Sequence, residues 1–217
     1  MSAPEATSPP TGQDDSASDS AKRRQIIEGA REIFLRDGFD GASMNEITKA
    51  AGVSKGTVYA YFPSKEALFE ALIREDRRAQ AERICTFDIE DHDVAKVLRD
   101  FGTNLMAAMS RPGAMAHLRT VIAAAAKFPA IGRAFYEAGP RFGVGRLAAY
   151  LERQVAAGHL AIDDVQRAAF HFIELCQAKH MKQMLFCVVE RPDAEELRRS
   201  INAAVDVFMA AYGPRRG

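Results

Sequence analysis

MNEITKAAGVSKGTVYAYF, residues 44–62, is the stretch whose reading decides the fold. Ser43 and Glu46 stand at capping-box spacing and open a helix over 44–51. Gly52 ends it, because only glycine takes a left-handed turn at little cost. Ser54 caps a third helix that reaches about Tyr61, and Pro63 stops it. Ser64 caps a fourth, to about Arg83. Ile47, Ala51, Val53 and Val58 fall where two short helices joined by a tight turn need inward apolar contacts. Tyr61 and Phe62 close the back of the unit.

This pattern reads as a helix-turn-helix whose second helix presents its N-terminal end to the major groove. The outward residues are then Lys55, Gly56, Thr57, Tyr59 and Ala60. Lys55 suits a guanine edge or a phosphate, and Thr57 offers a hydroxyl and a methyl. Gly56 lets the backbone come close to DNA. Tyr59 combines a flat ring with a hydroxyl donor. Lys65 is expected to hold a phosphate together with the positive end of its helix. Charge distribution agrees. The chain is neutral overall, yet Lys22, Arg23, Arg24, Arg31, Arg36, Lys49, Lys55 and Lys65 outnumber Glu28, Glu32, Asp37, Asp40 and Glu46 over residues 21–65.

Around this motif the pattern is helical almost everywhere, and alternating β-branched runs are missing. Residues 1–19 are rich in Ser, Pro, Thr, Ala and Asp and read as a disordered tail. A first helix runs about 21–37, with Ile26, Ile27, Ala30, Ile33 and Phe34 in one stripe and Gly38 as its stop. Further helices are expected near 94–110, 113–126, 129–157 with a kink at Gly139-Pro140, 163–190 and 193–212. Pro112, Pro129, Gly158 and Pro192 punctuate them. The predicted fold is all-α: a three-helix DNA-binding domain over 20–65, and a larger helical domain over 66–217 for ligand binding and dimerisation, about nine helices in all.

Residues 21–70 closely resemble the N-terminal domain of the tetracycline-repressor (TetR) family. The words that carry the resemblance are IIEGAREIFLRDGFDGASMNEITKAAGVSKGTVYAYFPSKEALFEAL, and GVSKGTVYAYFPSKEALF is highly specific. The resemblance implies an Ω-shaped homodimer whose larger domain binds an inducer and releases DNA. It places DNA contacts on Lys55, Gly56, Thr57, Tyr59, Tyr61 and Lys65, with Met44 and Asn45 at the start of the second helix. Thr48 departs from the alanine common in relatives at the helix crossing. FPAIGRAFYEAGPRFGVGRLAAYLERQVAAGHL, residues 128–160, resembles the C-terminal domain of the AefR-like subgroup.

Helix 163–190 contains AAFHFIELCQAKHMKQMLFCVV and is apolar on nearly all sides, which calls for burial all round. Two helices pairing with their symmetry mates would form a four-helix interface. Phe172, Leu175, Lys179, Leu197, Ile201, Val205 and Phe208 are the expected interface residues; the alternative is a single-chain core. An effector cavity is expected among the helices between 94 and 157, lined by Phe101, Leu105, Met109, Val121, Phe135 and Phe142, with Asn104, His117 and Tyr136 as polar candidates. The helix from Ser64 to Arg83 would act as a stiff lever between cavity and DNA.

Other function classes have less behind them. Cys176, His180 and Cys187 share one helical stripe, but a structural zinc site draws ligands from two segments, and a redox thiol must be exposed with a low pKa. Buried packing is the preferred reading of both cysteines. No catalytic constellation and no phosphate-cradling loop is visible. Asp163-Asp164 and Glu195-Glu196 sit at helix starts, where negative charge is favoured. No cofactor or metal is expected. No apolar run suggests a signal peptide or a membrane span, so the cytoplasm is the expected compartment. The expected function is a repressor that holds a palindromic operator on double-stranded DNA as a homodimer and is released by a small, mostly apolar effector. The alternative is an activator, or a regulator controlled by a partner protein.

Overall fold

The computed structural model describes residues 13–214, with side chains from residue 18. The elements are α1 (Gln13–Gly41), α2 (Met44–Ala51), α3 (Lys55–Tyr61), α4 (Lys65–Ile84), α5 (Val94–Met109), α6 (Ala114–Lys127), α7 (Pro129–Tyr136), a π turn (Glu137–Arg141), α8 (Phe142–Ala156), α9 (Val165–Gln177), α10 (His180–Leu185) and α11 (Ala194–Tyr212). The chain divides into two compact units that meet inside α4, between Leu72 and Ile73.

In the first unit Ile26, Ile27, Ala30, Ile33 and Phe34 of α1 are buried against Ile47, Ala51, Val58, Phe62, Leu68 and Phe69. The rings of Phe34, Phe39 and Phe69 form one cluster, with centroids 4.6–6.1 Å apart. α1 and α2 approach so closely that a Cβ on Gly29 would lie 2.5 Å from the Ala51 nitrogen and 2.6 Å from its Cα. The Gln25 amide also donates to the Ala51 carbonyl at 2.7 Å. Thr48 loses nothing by its hydroxyl, which donates to the Met44 carbonyl one turn back at 2.7 Å.

α1 begins earlier than the sequence predicts. Residues 1–12 of the expected tail lie outside the described residues, while 13–19 belong to the helix. Extending an existing helix costs far less than nucleating one. Regular helix stops at Gly38 as expected, where φ is 70°.

In the second unit Phe101, Leu147, Tyr150, Leu151, Phe172 and Phe208 lie in one buried cluster built from α5, α8, α9 and α11. Gly102 lets α5 settle onto α9 and α11; a Cβ there would stand 2.9 Å from the Cys176 sulfur. The buried Gln154 amide oxygen faces Nδ1 of both His92 (3.1 Å) and His159 (3.0 Å), and the Tyr150 hydroxyl donates to the Asp91 carbonyl at 2.8 Å. These bonds pin the segment between α4 and α5.

Two long helices predicted from the sequence are broken. The expected kink at Gly139-Pro140 is a full π turn, which accommodates Pro140 and the helical donor it lacks. Helix 163–190 divides at Ala178 and Lys179, both outside helical φ/ψ. The break lets buried His180 reach the Ser200 hydroxyl at 2.8 Å. Arg119 closes α10 by donating to the carbonyls of Met184 and Leu185. The segment is therefore not buried all round: Phe170 is 38% and Phe186 72% exposed.

The crossing at Gly29 yields a sign test. On an open helix, Gly→Ala gains about 0.5–1 kcal/mol from backbone entropy. Here Gly29→Ala is expected to lower the melting temperature instead, by about 1–3 kcal/mol of overpacking, because the obstacle is backbone. Thermal unfolding followed by circular dichroism decides it, and a rise in melting temperature would contradict the close crossing.

Candidate nucleic-acid interface and effector cavity

The reading unit is held by its caps. The Ser43 hydroxyl accepts from the Glu46 N–H (3.3 Å) and donates to its carboxylate (2.7 Å). Gly52 takes the left-handed conformation at φ 62°, ψ 35° and turns the chain. The Ser54 hydroxyl accepts from the Thr57 N–H at 3.1 Å and opens α3. This sets the rotation of α3. Val58 is fully buried, while Lys55, Gly56 and Tyr59 are exposed and Thr57 is half-exposed. Lys55 Nζ stands 5.9 Å from the centre of the Tyr59 ring, so a cation and a hydroxylated ring share one patch. Asn45 is exposed and Met44 half-buried at the start of α2. The free N-terminal amides of α3 and this patch together offer donors and positive charge to a phosphate backbone.

Two expected DNA contacts are engaged elsewhere. The Lys65 ammonium donates to the carbonyls of Phe39 (2.8 Å), Ala42 (2.9 Å) and Asp40 (3.4 Å), and lies 4.7 Å from the centre of the Phe39 ring. Its three donors match three carbonyls at the end of α1, a stronger arrangement than a solvated ammonium waiting for phosphate. Tyr61 donates to the Asp19 carboxylate at 2.6 Å, a bond that raises the phenol pKa.

The second unit holds an apolar cavity of about 160 Å³. α4 contributes Arg77, Gln80, Ala81 and Ile84; α5 contributes Phe101, Leu105 and Met109. Ala114, Met115 and Leu118 of α6, Phe135 of α7, Gly139 and Pro140 of the π turn, Gly143 of α8, Ile173 and Gln177 of α9, and Met181 of α10 complete it. Of the residues expected from the sequence, Phe101, Leu105, Met109 and Phe135 line it. Val121 is buried elsewhere, Tyr136 is 48% exposed, and Phe142 packs under the Arg78 guanidinium at 3.8 Å. Asn104 lines a separate hollow with Asp88, Lys96 and Asp100, and His117 is outside the main cavity. The α4, α9 and α10 walls escaped sequence reasoning because helix periodicity marks which face is buried, not which buried residues face a void.

The expected interface residues also move. Phe172, Ile201, Val205 and Phe208 are at most 2% exposed within the single chain and fill its own core. Leu175 and Leu197 are half-buried against core clusters, and Lys179 pairs with Glu196 at 2.5 Å. Burial pushes the Cys85 thiol up to about 11 and that of Cys176 up to about 12, so neither is a thiolate near neutrality. Cys187, expected to be buried, is exposed in a turn with φ 57°. Among the described residues no cluster of three or more His, Cys, Asp or Glu can hold a metal ion, and no helix is long and apolar enough to cross a membrane.

Lys65 supplies a discriminating variant. Lys65→Met keeps an unbranched side chain of similar length but strips the carbonyls of their donor. It is expected to cost about 1–3 kcal/mol of stability and to leave the salt slope of duplex binding nearly unchanged. A parental melting curve with a slope lowered by about one unit would instead put the ammonium on a phosphate.

Comparison with known proteins agrees with this geometry. Residues 26–72 match the family described as bacterial regulatory proteins, tetR family, and residues 96–214 match the AefR-like transcriptional repressor C-terminal domain. The HTH-type transcriptional repressor Rv1474c of Mycobacterium tuberculosis is 44% identical over 61 residues, 28% of this chain and 33% of that protein. The repressor AcnR of Corynebacterium diphtheriae is 36% identical over 81 residues, 37% of this chain and 40% of its own length. The chain thus matches well under half the length of these curated relatives. Two solved structures are similar over nearly their whole length. A TetR-family transcriptional regulator from Mesorhizobium loti has a TM-score of 0.82 at 30% identity, covering 89% of this chain and 98% of that one. The flavonoid-responsive regulator FrrA has a TM-score of 0.79 at 33% identity, covering 91% and 100%. The chain belongs to the TetR family of bacterial regulatory proteins and carries an AefR-like C-terminal domain.

Proposed function

We propose that this repressor holds a palindromic operator as a homodimer and is released when a small, mostly apolar effector fills the cavity of the second unit. The observation that carries the reading is the cavity wall itself. Arg77, Gln80, Ala81 and Ile84 belong to α4, the same unbroken helix that begins at Lys65 beside the reading unit. A ligand there touches the element that leads to DNA. Two reading heads must enter grooves about 34–36 Å apart, or a multiple of that, so a small change in α4 spoils the match. A ligand shifts the balance only as far as it prefers the non-binding spacing. A coupling of about 1–3 kcal/mol corresponds to a roughly 5–150-fold loss of operator affinity.

Pairing of two copies is supported by outward residues on the helices expected to form the interface. Phe170 of α9 and Val207 of α11 are 38% and 53% exposed, with Glu174 and Ala203 on the same outer faces. The flavonoid-responsive relative supports an aromatic effector for this chain too.

Two measurements test the reading. Tyr59→Ala is expected to keep the parental melting temperature and lose about 1–3 kcal/mol of operator binding if its contact reads a base. Val58→Asp is expected to unfold the first unit by burying an unpaired charge; equal melting losses in the two would contradict the orientation of α3. Leu105→Trp is expected to fill the cavity and give a repressor that binds operator but ignores an inducer found by screening. A Leu105→Trp protein that responds like the parent would move the effector site elsewhere.

A further inference from the structure

The cavity is apolar except at Arg77, Gln80 and Gln177. Arg77 is the unusual member. Its guanidinium carbon lies 5.0 Å from the centre of the Phe135 ring, and Gly139 of the π turn packs on its stem, where a Cβ would meet Arg77 carbons at 3.5 Å. The side chain is therefore held flat between a ring and a stretch of backbone. Its Nε is buried and has no hydrogen-bond acceptor. A buried donor left unmade is costly, and more so on a cation. Burial works against the charge; Asp76 offsets this through space, and Arg83 adds to it.

We propose that the cavity takes an aromatic carboxylate, its ring among Phe101, Leu105 and Phe135 and its carboxylate on the Nε edge of Arg77. This rests on the cavity being the effector site, and it adds the ligand's charge and chemical class.

Three features favour this class. A guanidinium edge presents two parallel donors that match the two oxygens of a carboxylate. A cavity volume of about 160 Å³ is close to the roughly 150 Å³ that holds a single benzene ring. Met109, Met115 and Met181 line the cavity, and their unbranched thioether chains let it stretch to a ring with a short side chain. The charge also lands on α4. An anion bound here contacts that helix directly, whereas a neutral hydrocarbon would only fill space beside it.

The test is calorimetric titration of the full chain with trans-cinnamate and with trans-cinnamamide, which has the same shape without the charge. Cinnamate is expected to bind the parent at least about tenfold more tightly than the amide, the scale of one charge-assisted hydrogen bond. In Arg77→Met, which keeps the stem against Gly139, the two affinities are expected to converge with the amide's nearly unchanged. Arg77→Lys is expected to recover part of the preference, which guards against a mere packing loss. Leu105→Trp is expected to abolish binding of both compounds. Equal binding of acid and amide to the parent, a preference that survives Arg77→Met, or binding of neither compound overturns the proposal. Amide binding that Leu105→Trp abolishes would leave the effector cavity standing without its anion partner. Cinnamate binding unaffected by Leu105→Trp would remove the ligand from the cavity altogether.

Discussion

The direction in which the reading helix faces depends on one close contact between backbones. Gly29 leaves no space for a side chain above Ala51, so α1 and α2 meet nearly atom to atom. The Gln25 amide ties off the last carbonyl of α2, that of Ala51, at the same place. With α2 fixed, the left-handed turn at Gly52 and the Ser54 cap leave α3 a single rotation. Val58 must then enter the core, which turns Tyr59 and Lys55 outward. A binding surface of a few side chains is thus specified by a contact on the far side of α2, made by residues that never approach a ligand.

Cations do structural work in this neutral chain. Lys65 closes the carbonyl end of α1, and Arg119 closes that of α10. In each case a positive side chain from a distant segment meets the negative end of a helix, an arrangement that favours both partners. Arg77 differs because its stacking partner satisfies the face of the guanidinium and leaves a donor at the edge. That edge is the one cationic donor in the cavity wall, beside the amides of Gln80 and Gln177.

The reading unit was legible in the sequence because its signals are local. Ser43, Gly52, Ser54 and Pro63 each act within a few residues, and Ile47, Ala51 and Val58 follow helical spacing. The larger unit was legible only as helices. Whether Phe172 or Phe170 faces outward depends on what packs on α9, and the break at Ala178 depends on Ser200 receiving His180 from a different helix. Lys65 shows the same limit at the binding surface. Its place beside a helix start suggests phosphate, but the carbonyls that claim it lie on the chain some 25 residues upstream.

The π turn has a consequence for how this cavity can diverge. Along Glu137–Arg141 the wall is supplied by Gly139 and Pro140, which present main chain and a fixed ring rather than a variable side chain. Point substitutions have little purchase there, since shape is set by an extra residue in the helix and changes only by deletion or insertion. Other walls carry Met109, Met115 and Met181, where most replacements change the shape or volume left to a ligand. Descendants of this chain would therefore acquire new ligands by exchanging methionines on α5, α6 and α10 against an inherited, nearly inert floor.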